Sequence, residues 1–199
     1  MLYHFTHISN LASIAQQGLY SDASINERRQ SFTRVGHPDI RERRRRRRVP
    51  LPPGGCVADY VPFYFAPRSP MLYVVQQGDV PGYDGGQDEV VFVVTTAEAI
   101  SAAGFPFLFT DCNAVLVHAR YSGDLDCLDE FVDWELMESK YWADRKEERM
   151  AEFLVHRHVP WEAAIGVAAY DPARCRQAES ELRRVGVETF VAARQEWFF

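Results

Sequence analysis

A glutamate stands at the start of an apolar run near the end of the chain. Glu152 precedes residues 153–155 in the stretch EFLVH, a pattern that predicts a buried strand. A carboxylate that enters a buried strand loses hydration, so it needs either a structural partner or a chemical role. The structural explanation is a salt bridge to Arg149 or Arg157. The chemical explanation is that a carboxylate can bind a sugar hydroxyl and stabilise positive charge that develops at an anomeric carbon.

The second candidate feature is a block of arginines, Arg41 and Arg43 to Arg48, which supplies seven of the eight residues in RERRRRRR. Such a run offers no apolar face to a core, so we expect it to be solvated or covered by a polyanion. The chain as a whole carries a formal net charge of −6. In an acidic chain, a concentrated basic segment favours contact with nucleic-acid phosphates, which makes binding salt-dependent. A solvated helix face is the alternative.

Aromatic residues follow the arginine block in the segment DYVPFYFAP. Phe63 and Phe65 are predicted to lie in the core. Tyr60 and Tyr64, beside a basic run, could instead stack on unpaired bases or on a nicotinamide ring. The sequence pattern alone leaves both possibilities open for the tyrosines.

Several other chemistries have no matching motif. The four cysteines form no CxxC pair and the six histidines show no HExxH spacing, so no metal site is predicted. Neither GxGxxG nor GxxxxGK[ST] occurs, which argues against a Rossmann-type or P-loop nucleotide site. No apolar run is long enough to span a bilayer, and the first residues lack the parts of a signal peptide. We therefore expect a cytoplasmic protein without membrane contact.

The elements that must hold these residues form an irregular mixture of strands and short helices. With 199 residues, 47% of them hydrophobic, the chain can bury the core of one domain over residues 1–199. Strands are predicted at 1–6, 59–67, 89–95, 106–110, 114–121, 151–156, 163–170 and 187–192. Helices are predicted at 10–17, 22–30, 37–48, 68–78, 96–104 and 173–184, with helix favoured in the acidic stretch 124–142. Because strands and helices do not alternate regularly, a mixed α+β fold is favoured over a doubly wound sheet.

Local signals predict where some of these helices begin and end. Ser9 is expected to cap the first helix and Gly18 to end it. Thr95 and Glu98 have the spacing of a capping box, and Asp171 followed by proline opens the last helix.

Three longer stretches together resemble the DarT family of DNA ADP-ribosyltransferases, the toxins of DarT–DarG toxin–antitoxin systems. They are YHFTHISNLASIAQQGL at 3–19, VPLPPGGCVADYVPFYFAPRSPMLY at 49–73 and MAEFLVH at 150–156. TDCNA at 110–114 and WELMESKYWAD at 134–144 also match, so the resemblance covers essentially the whole chain.

The resemblance implies a fold and a reaction. The fold would be an ADP-ribosyltransferase-like split mixed sheet with peripheral helices and a cleft for NAD⁺. The reaction would transfer ADP-ribose from NAD⁺ to a base of single-stranded DNA, in the best-known branch to thymine N3, with release of nicotinamide. A related branch modifies guanine. A separate macrodomain protein, the antitoxin DarG, is implied as a partner.

The resemblance also assigns residues to roles. Glu152 matches the catalytic glutamate, and counting back from the turn at Val49 and Pro50 places the helper arginine at Arg44. The NAD⁺-binding residues would be His4, Thr6, Asn10, Tyr64 and Met71. The DNA-binding residues would be Arg43, Arg47, Arg48 and Tyr60, together with the segment 133–150. Transfer to RNA or protein, or a non-catalytic nucleic-acid-binding domain, are the competing functions, and the presence of Glu152 speaks against the last.

Overall fold

The computed structural model describes residues 1–199 and is built on an eight-stranded mixed sheet in the order β10-β9-β4-β1-β3-β7-β5-β6. Its strands are β1 (Leu2–His7), β3 (Tyr60–Tyr64), β4 (Val90–Thr95), β5 (Phe107–Thr110), β6 (Tyr121–Ser122), β7 (Glu152–His156), β9 (Gly166–Ala169) and β10 (Val191–Ala193). Only β9 and β10 pair in parallel. A separate antiparallel pair joins β2 (Leu19–Tyr20) to β8 (His158–Val159). The predicted mixed α+β fold is confirmed.

Eight short α-helices surround the sheet. They are α1 (Leu11–Gln17), α2 (Asp22–Glu27), α3 (Pro38–Arg46), α4 (Pro70–Gln76), α5 (Ala97–Ala102), α6 (Leu128–Phe131), α7 (Trp134–Glu138) and α8 (Pro172–Arg184). The last helix begins at the predicted cap, where the Asp171 carboxylate accepts a hydrogen bond from the backbone N–H of Arg174 at 2.8 Å. None of these helices is both long enough and apolar enough to cross a membrane.

The sheet is buried on both faces, which explains the uninterrupted apolar run in β4. Val91 and Val93 point into a core layer that α1, α5 and α8 cover, whereas Val90, Phe92 and Val94 point into a second layer under α4. A strand that packs on both sides needs apolar residues at every position. Phe63 and Phe65 lie in the first layer, as predicted.

The sheet splits between β1 and β3. The two strands share one register position, Tyr3 opposite Tyr64, whereas β1 pairs with β4 along its full length. Across the gap, the Nδ1 atom of His4 lies 2.7 Å from the carbonyl oxygen of Pro62. The split opens the sheet edge of both strands toward a cleft, so their polar side chains and backbone groups can face a ligand.

Two predicted helix caps are wrong by one or two residues. Ser9 lies inside a 3₁₀ turn over Ile8–Asn10 that the His7 side chain caps, so α1 begins only at Leu11. The cap of α5 is Thr96, which accepts from the N–H of Ala99, and not Thr95. Thr95 is the last residue of β4 and donates to the carbonyl of Ala163, because the buried strand extends through it. Gly18 does end α1, with φ of 83°.

The predicted strand over 114–121 is also wrong. Residues 114–119 form turns that place His118 outside any strand, and only Tyr121–Ser122 pairs with β5. The turn forms because the side-chain Oδ1 of Asn113 accepts from Val115 N–H while the N–H of Ala114 donates to Glu152. The acidic stretch 124–142 holds a 3₁₀ turn and two short helices, α6 and α7, separated by residues 132–133.

Candidate active site

The carboxylate of Glu152 is buried and fixed at both oxygens. The residue is 1% exposed at the start of β7, directly opposite Tyr64 of β3. Its Oε2 accepts a hydrogen bond from the N–H of Ala114 at 2.9 Å, and its Oε1 lies 2.6 Å from Nη1 of Arg44. A buried carboxylate with two fixed donors keeps one orientation, which suits it to recognising a ligand group.

The two arginines nearest to Glu152 in sequence do not pair with it. Arg149 donates to the backbone carbonyls of Arg68, Leu136 and Ser139. Arg157 forms an ion pair with Glu27 at the surface. Glu152 does form a salt bridge, but the predicted partners were wrong. The ion pair is with Arg44, whose side chain is 12% exposed.

The exposure of the arginines in the block varies with the period of a helix. Arg41, Arg44 and Arg47, spaced by three, are half-buried along one side, whereas Arg43, Arg45, Arg46 and Arg48 are exposed. Residues three apart share a helix face. The expectation that the whole block is solvated is therefore wrong, because one row of its guanidiniums turns toward the protein.

A cleft of about 240 Å³ opens beside the Glu152 carboxylate. Its walls come from β1, the start of β2, the segment 30–37, α3 and β3. The five predicted NAD⁺-binding residues, together with Glu152 and Arg44, all line it: His4, Thr6, Asn10, Tyr64 and Met71. The structure thus brings seven of the predicted site residues together from five separate parts of the chain.

His4 presents a neutral ring to this cleft. Because a carbonyl oxygen can only accept, the contact with Pro62 assigns the proton to Nδ1 and leaves Nε2 as an acceptor. Burial lowers the pKa of His4 below its ordinary value, the hydrogen bond to Pro62 opposes that shift, and the charge of Arg44 adds to it. The ring is therefore uncharged at neutral pH and can accept a hydrogen bond from a ligand hydroxyl.

The side chain of Asn10 links Thr6 of β1 to the segment 30–37 in the cleft wall. The Asn10 side-chain nitrogen donates to Thr6 Oγ1 at 3.0 Å and to the carbonyl of Thr33 at 2.8 Å, and its oxygen accepts from the N–H of Thr33 at 2.9 Å. The amide of Asn10 is thereby used to fasten the segment 30–37 over the cleft. Sequence reasoning missed Thr33, since no local pattern marks a loop residue that is bound by a side chain 23 positions earlier.

Tyr64 forms the wall beside the carboxylate. Its ring stacks on Phe5 with centroids 6.0 Å apart and an interplanar angle of 8°. Burial and the negative charge of Glu152 raise the pKa of its hydroxyl, so it stays protonated. A flat apolar face next to a fixed carboxylate suits an aromatic ligand group attached to a sugar.

Of the predicted DNA-binding residues, the arginines Arg43, Arg47 and Arg48 lie outside the cleft, whereas Tyr60 is among the residues that line it. Arg43 and Arg48 are exposed, and Arg47 donates to the carbonyl of Val117 at 3.1 Å. Tyr60 is 1% exposed and its hydroxyl donates to the carbonyl of Gly54. Its ring lies on the same face of β3 as Tyr64 but packs against Leu108 and Leu154, so its burial contradicts the predicted contact with DNA.

Two further residues complete the floor of the site, Asn113 and Met150, and both line the cleft. Asn113 orders the turn whose Ala114 N–H binds Glu152. The sequence signals that could have identified these two residues were the motif TDCNA for Asn113 and the motif MAEFLVH for Met150. Within residues 1–199, no group of three or more His, Cys, Asp or Glu side chains is placed to hold a metal ion.

Comparison with known proteins gives consistent matches over the whole chain. A family model described as "ssDNA thymidine ADP-ribosyltransferase, DarT" matches residues 3–199. A DNA ADP-ribosyl transferase of Thermus sp. (strain 2.9) is 39% identical over 203 residues, covering 100% of this chain and 95% of the relative.

Solved structures agree with the sequence matches. Thermus sp. 2.9 DarT in complex with ADP-ribosylated ssDNA superposes with a TM-score of 0.93 at 38% identity, covering 100% of this chain and 95% of that chain. Thermus sp. 2.9 DarT in complex with NAD⁺ gives a TM-score of 0.88 at 37% identity, covering 100% of this chain and 96% of that chain.

We predict that His4 titrates below the ordinary histidine pKa of about 6.5 and carries its neutral-state proton on Nδ1. An unfolded chain then takes up this proton before the folded chain does. His4 therefore lowers stability as pH falls from about 6.5 toward its folded pKa, and has no effect above that window. Two-dimensional ¹H–¹⁵N NMR of the imidazole nitrogens measures both properties, with His4→Gln identifying the signals. A proton on Nε2, or titration above the ordinary value, would contradict the assignment.

Proposed function

Because the chain belongs to the DarT family and is a DNA ADP-ribosyltransferase, we propose that it transfers ADP-ribose from NAD⁺ to N3 of thymine in single-stranded DNA, releasing nicotinamide. The observation that carries this proposal is the buried pair of Glu152 and Arg44 at the floor of the cleft. Relatives with 37–38% identity that have been solved with NAD⁺ and with ADP-ribosylated ssDNA support both substrates.

Glu152 acts on the NAD⁺ half of the reaction. As the bond between the ribose C1′ and the nicotinamide nitrogen breaks, the electron pair leaves with nicotinamide and positive charge develops on the ribose ring. Each carboxylate oxygen of Glu152 has a lone pair beyond those used by Arg44 and Ala114, so one can accept from the ribose 2′-hydroxyl. Its negative charge then stabilises the oxocarbenium-like transition state more than the ground state.

Arg44 acts on the acceptor half. Thymine N3 carries a proton at neutral pH and becomes a nucleophile only as that proton is lost, while the bond from N3 to C1′ forms. A guanidinium is already fully protonated and has no acceptor atom, so it cannot remove the N3 proton, which passes to solvent; its positive charge stabilises the base that has lost it. Arg44 lies 2.6 Å from Glu152, so both charges act on one reacting centre. Tyr64 and Met71 would form the wall beside the nicotinamide. His4, Thr6 and Asn10 would line the part of the cleft that holds the rest of the dinucleotide.

The acceptor must be presented with its Watson–Crick edge free, since N3 is hidden in a duplex. We place the single strand along the exposed arginines Arg43 and Arg48, with Arg47 and residues 133–150 beside it. Arg43 lies on α3 with Arg44, and Arg47 and Arg48 follow directly after the helix ends at Arg46, so phosphates bound there would hold the base close to the cleft.

The cellular setting follows from the family alone. We propose that the protein acts in the cytoplasm as one domain over residues 1–199, and that a macrodomain antitoxin of the DarG type is its partner. Guanine in DNA, or an RNA or protein acceptor, are the competing targets.

We expect ADP-ribose addition only to oligonucleotides that contain thymine. The measurement is intact mass of short single strands, with and without thymine, after incubation with the protein and NAD⁺, alongside assay of free nicotinamide. ADP-ribose addition to thymine-free strands that contain guanine would show that guanine, and not thymine, is the target base. Nicotinamide release only with RNA or protein present would move the acceptor away from DNA.

We predict that Glu152→Gln lowers the rate of transfer by about 10²–10³-fold, because the neutral amide no longer stabilises the ribose cation. The protein should still fold, at reduced stability, because the amide oxygen of the glutamine can accept from Arg44 although the ion pair is lost, and most DNA binding should persist. Glu188→Gln is the matched control, since this exposed glutamate makes no ion pair. Transfer at the wild-type rate by a folded Glu152→Gln protein would refute the catalytic assignment.

We predict that replacing both Arg43 and Arg48 by Gln weakens binding to single-stranded DNA and lowers its salt dependence. Each lost phosphate contact should reduce the slope of log K against log salt concentration by about 0.7. The control is Arg183→Gln with Arg184→Gln, which removes the same charge from the end of α8. Titrations of a labelled oligothymidine at several salt concentrations supply the slopes, and equal slopes in both double variants would contradict the assignment.

A further inference from the structure

One of the three arginines that line the cleft forms no ion pair. Glu152 and Asp22 are the acids that line it, and Arg34, Arg41 and Arg44 are the bases. Glu152 pairs with Arg44, and Asp22 pairs with Arg34 at 2.7 Å. Arg41 forms no ion pair with any residue of the chain.

Arg41 also lacks hydrogen-bond partners. Its Nε atom is buried without an acceptor, and none of its guanidinium nitrogens makes a hydrogen bond within the protein. Buried donors without partners are rare in folded proteins, because each forfeits its hydration without compensation. The unsatisfied guanidinium of Arg41 therefore indicates that an acceptor occupies this part of the cleft when the protein is at work.

The charge around Arg41 specifies the kind of acceptor. Three guanidiniums, those of Arg34, Arg41 and Arg45, surround the single carboxylate of Asp22, which bonds both Arg34 and Arg45. Burial and the charges of Arg34 and Arg45 lower the pKa of Arg41, only partly opposed by Asp22. Asp22 pairs with Arg34 and Arg45, and Glu42 also pairs with Arg45, so the charge that no carboxylate pairs is that of Arg41. An unpaired guanidinium in an electropositive surrounding matches an anionic group such as a diphosphate diester, which bears one negative charge on each phosphate.

The position of Arg41 along α3 agrees with the order of groups in a dinucleotide. Arg41 lies three residues before Arg44, so the two side chains share a face about 4.5 Å apart along the helix axis. Arg44 marks the end of the cleft at which the ribose of the nicotinamide half would meet Glu152. The next group along NAD⁺ from that ribose is the diphosphate.

We infer that Arg41 is the binding residue for the diphosphate of the dinucleotide, a role that rests on the proposed function and makes it specific. The guanidinium would donate a paired set of hydrogen bonds to phosphate oxygens. Arg34 would add charge but little hydrogen bonding, because Asp22 and Asn26 already occupy its guanidinium.

The same geometry predicts an unusual effect on stability. An arginine that only supported the fold would destabilise the protein when removed. Arg41→Met instead removes a half-buried cation that is repelled by Arg34 and has no partner, so its melting temperature should equal or exceed that of the wild type. Arg46→Met is the matched control, because it removes the same charge from an exposed position of the same helix.

The test compares ADP-ribose, which has the diphosphate, with adenosine, which lacks it. Calorimetry or NMR titration gives the dissociation constants for wild type, Arg41→Met, Arg41→Lys and Arg46→Met. We expect Arg41→Met to bind ADP-ribose about 10- to 100-fold more weakly with little change for adenosine, Arg41→Lys to recover part of the loss, and Arg46→Met to match the wild type.

Three other results would overturn the inference. Unchanged ADP-ribose affinity in Arg41→Met would remove Arg41 from the site. Equal weakening for ADP-ribose and adenosine, or a lowered melting temperature, would show that the loss is not specific to phosphate. If the wild type itself binds neither ADP-ribose nor NAD⁺, the proposed function fails first and the role of Arg41 fails with it.

Discussion

The buried ion pair between Glu152 and Arg44 is the interaction on which the site depends. Its partners are 108 residues apart in sequence, one at the start of β7 and the other on α3. Neither charge is stable alone at such low exposure, since burying an unpaired carboxylate or guanidinium costs far more than a surface charge. Correct seating of α3 over the sheet is therefore coupled to correct placement of the carboxylate. The pair stabilises the site and at the same time positions two opposite charges where a sugar and a nucleophile can meet.

The split of the sheet turns this pair into an active centre. Were β1 and β3 paired along their length, backbone hydrogen bonds would close the space in front of Glu152. Because they share only the position at Tyr3 and Tyr64, the cleft opens and β1 contributes side chains to it. The roof is fastened separately, by Asn10 to the segment 30–37. A rigid floor and a roof fixed by a few side-chain bonds favour binding of a dinucleotide whose reacting end is held away from water.

Helix geometry gives the arginines of one basic segment different surroundings. A run of identical residues carries no pattern in its letters, but the helical period turns every third arginine inward. Arg44 meets the catalytic carboxylate, Arg41 faces the cleft without a partner, and the exposed arginines remain for a polyanion. In the proposed reaction, the dinucleotide and the single strand would meet at this segment, which would place a nucleobase and a ribose close together. The acidic net charge of the chain confines strong attraction for phosphates to this region.

The sequence by itself determined the elements with strong local signals and the candidate glutamate. Apolar runs predicted β4 and β7, Asp171 predicted the start of α8, and the family resemblance gave Glu152 its proposed catalytic role. The sequence could not show which distant residues contact each other. Tyr60 was predicted to contact DNA, but packing against Leu108 and Leu154 of neighbouring strands buries it. The residues after Ala114 were predicted as a strand, but side-chain acceptors bend them into turns. Which arginine meets Glu152, and which faces the cleft without a partner, was decided only by tertiary structure, because the seven arginines within residues 41–48 are alike until the fold gives each different surroundings.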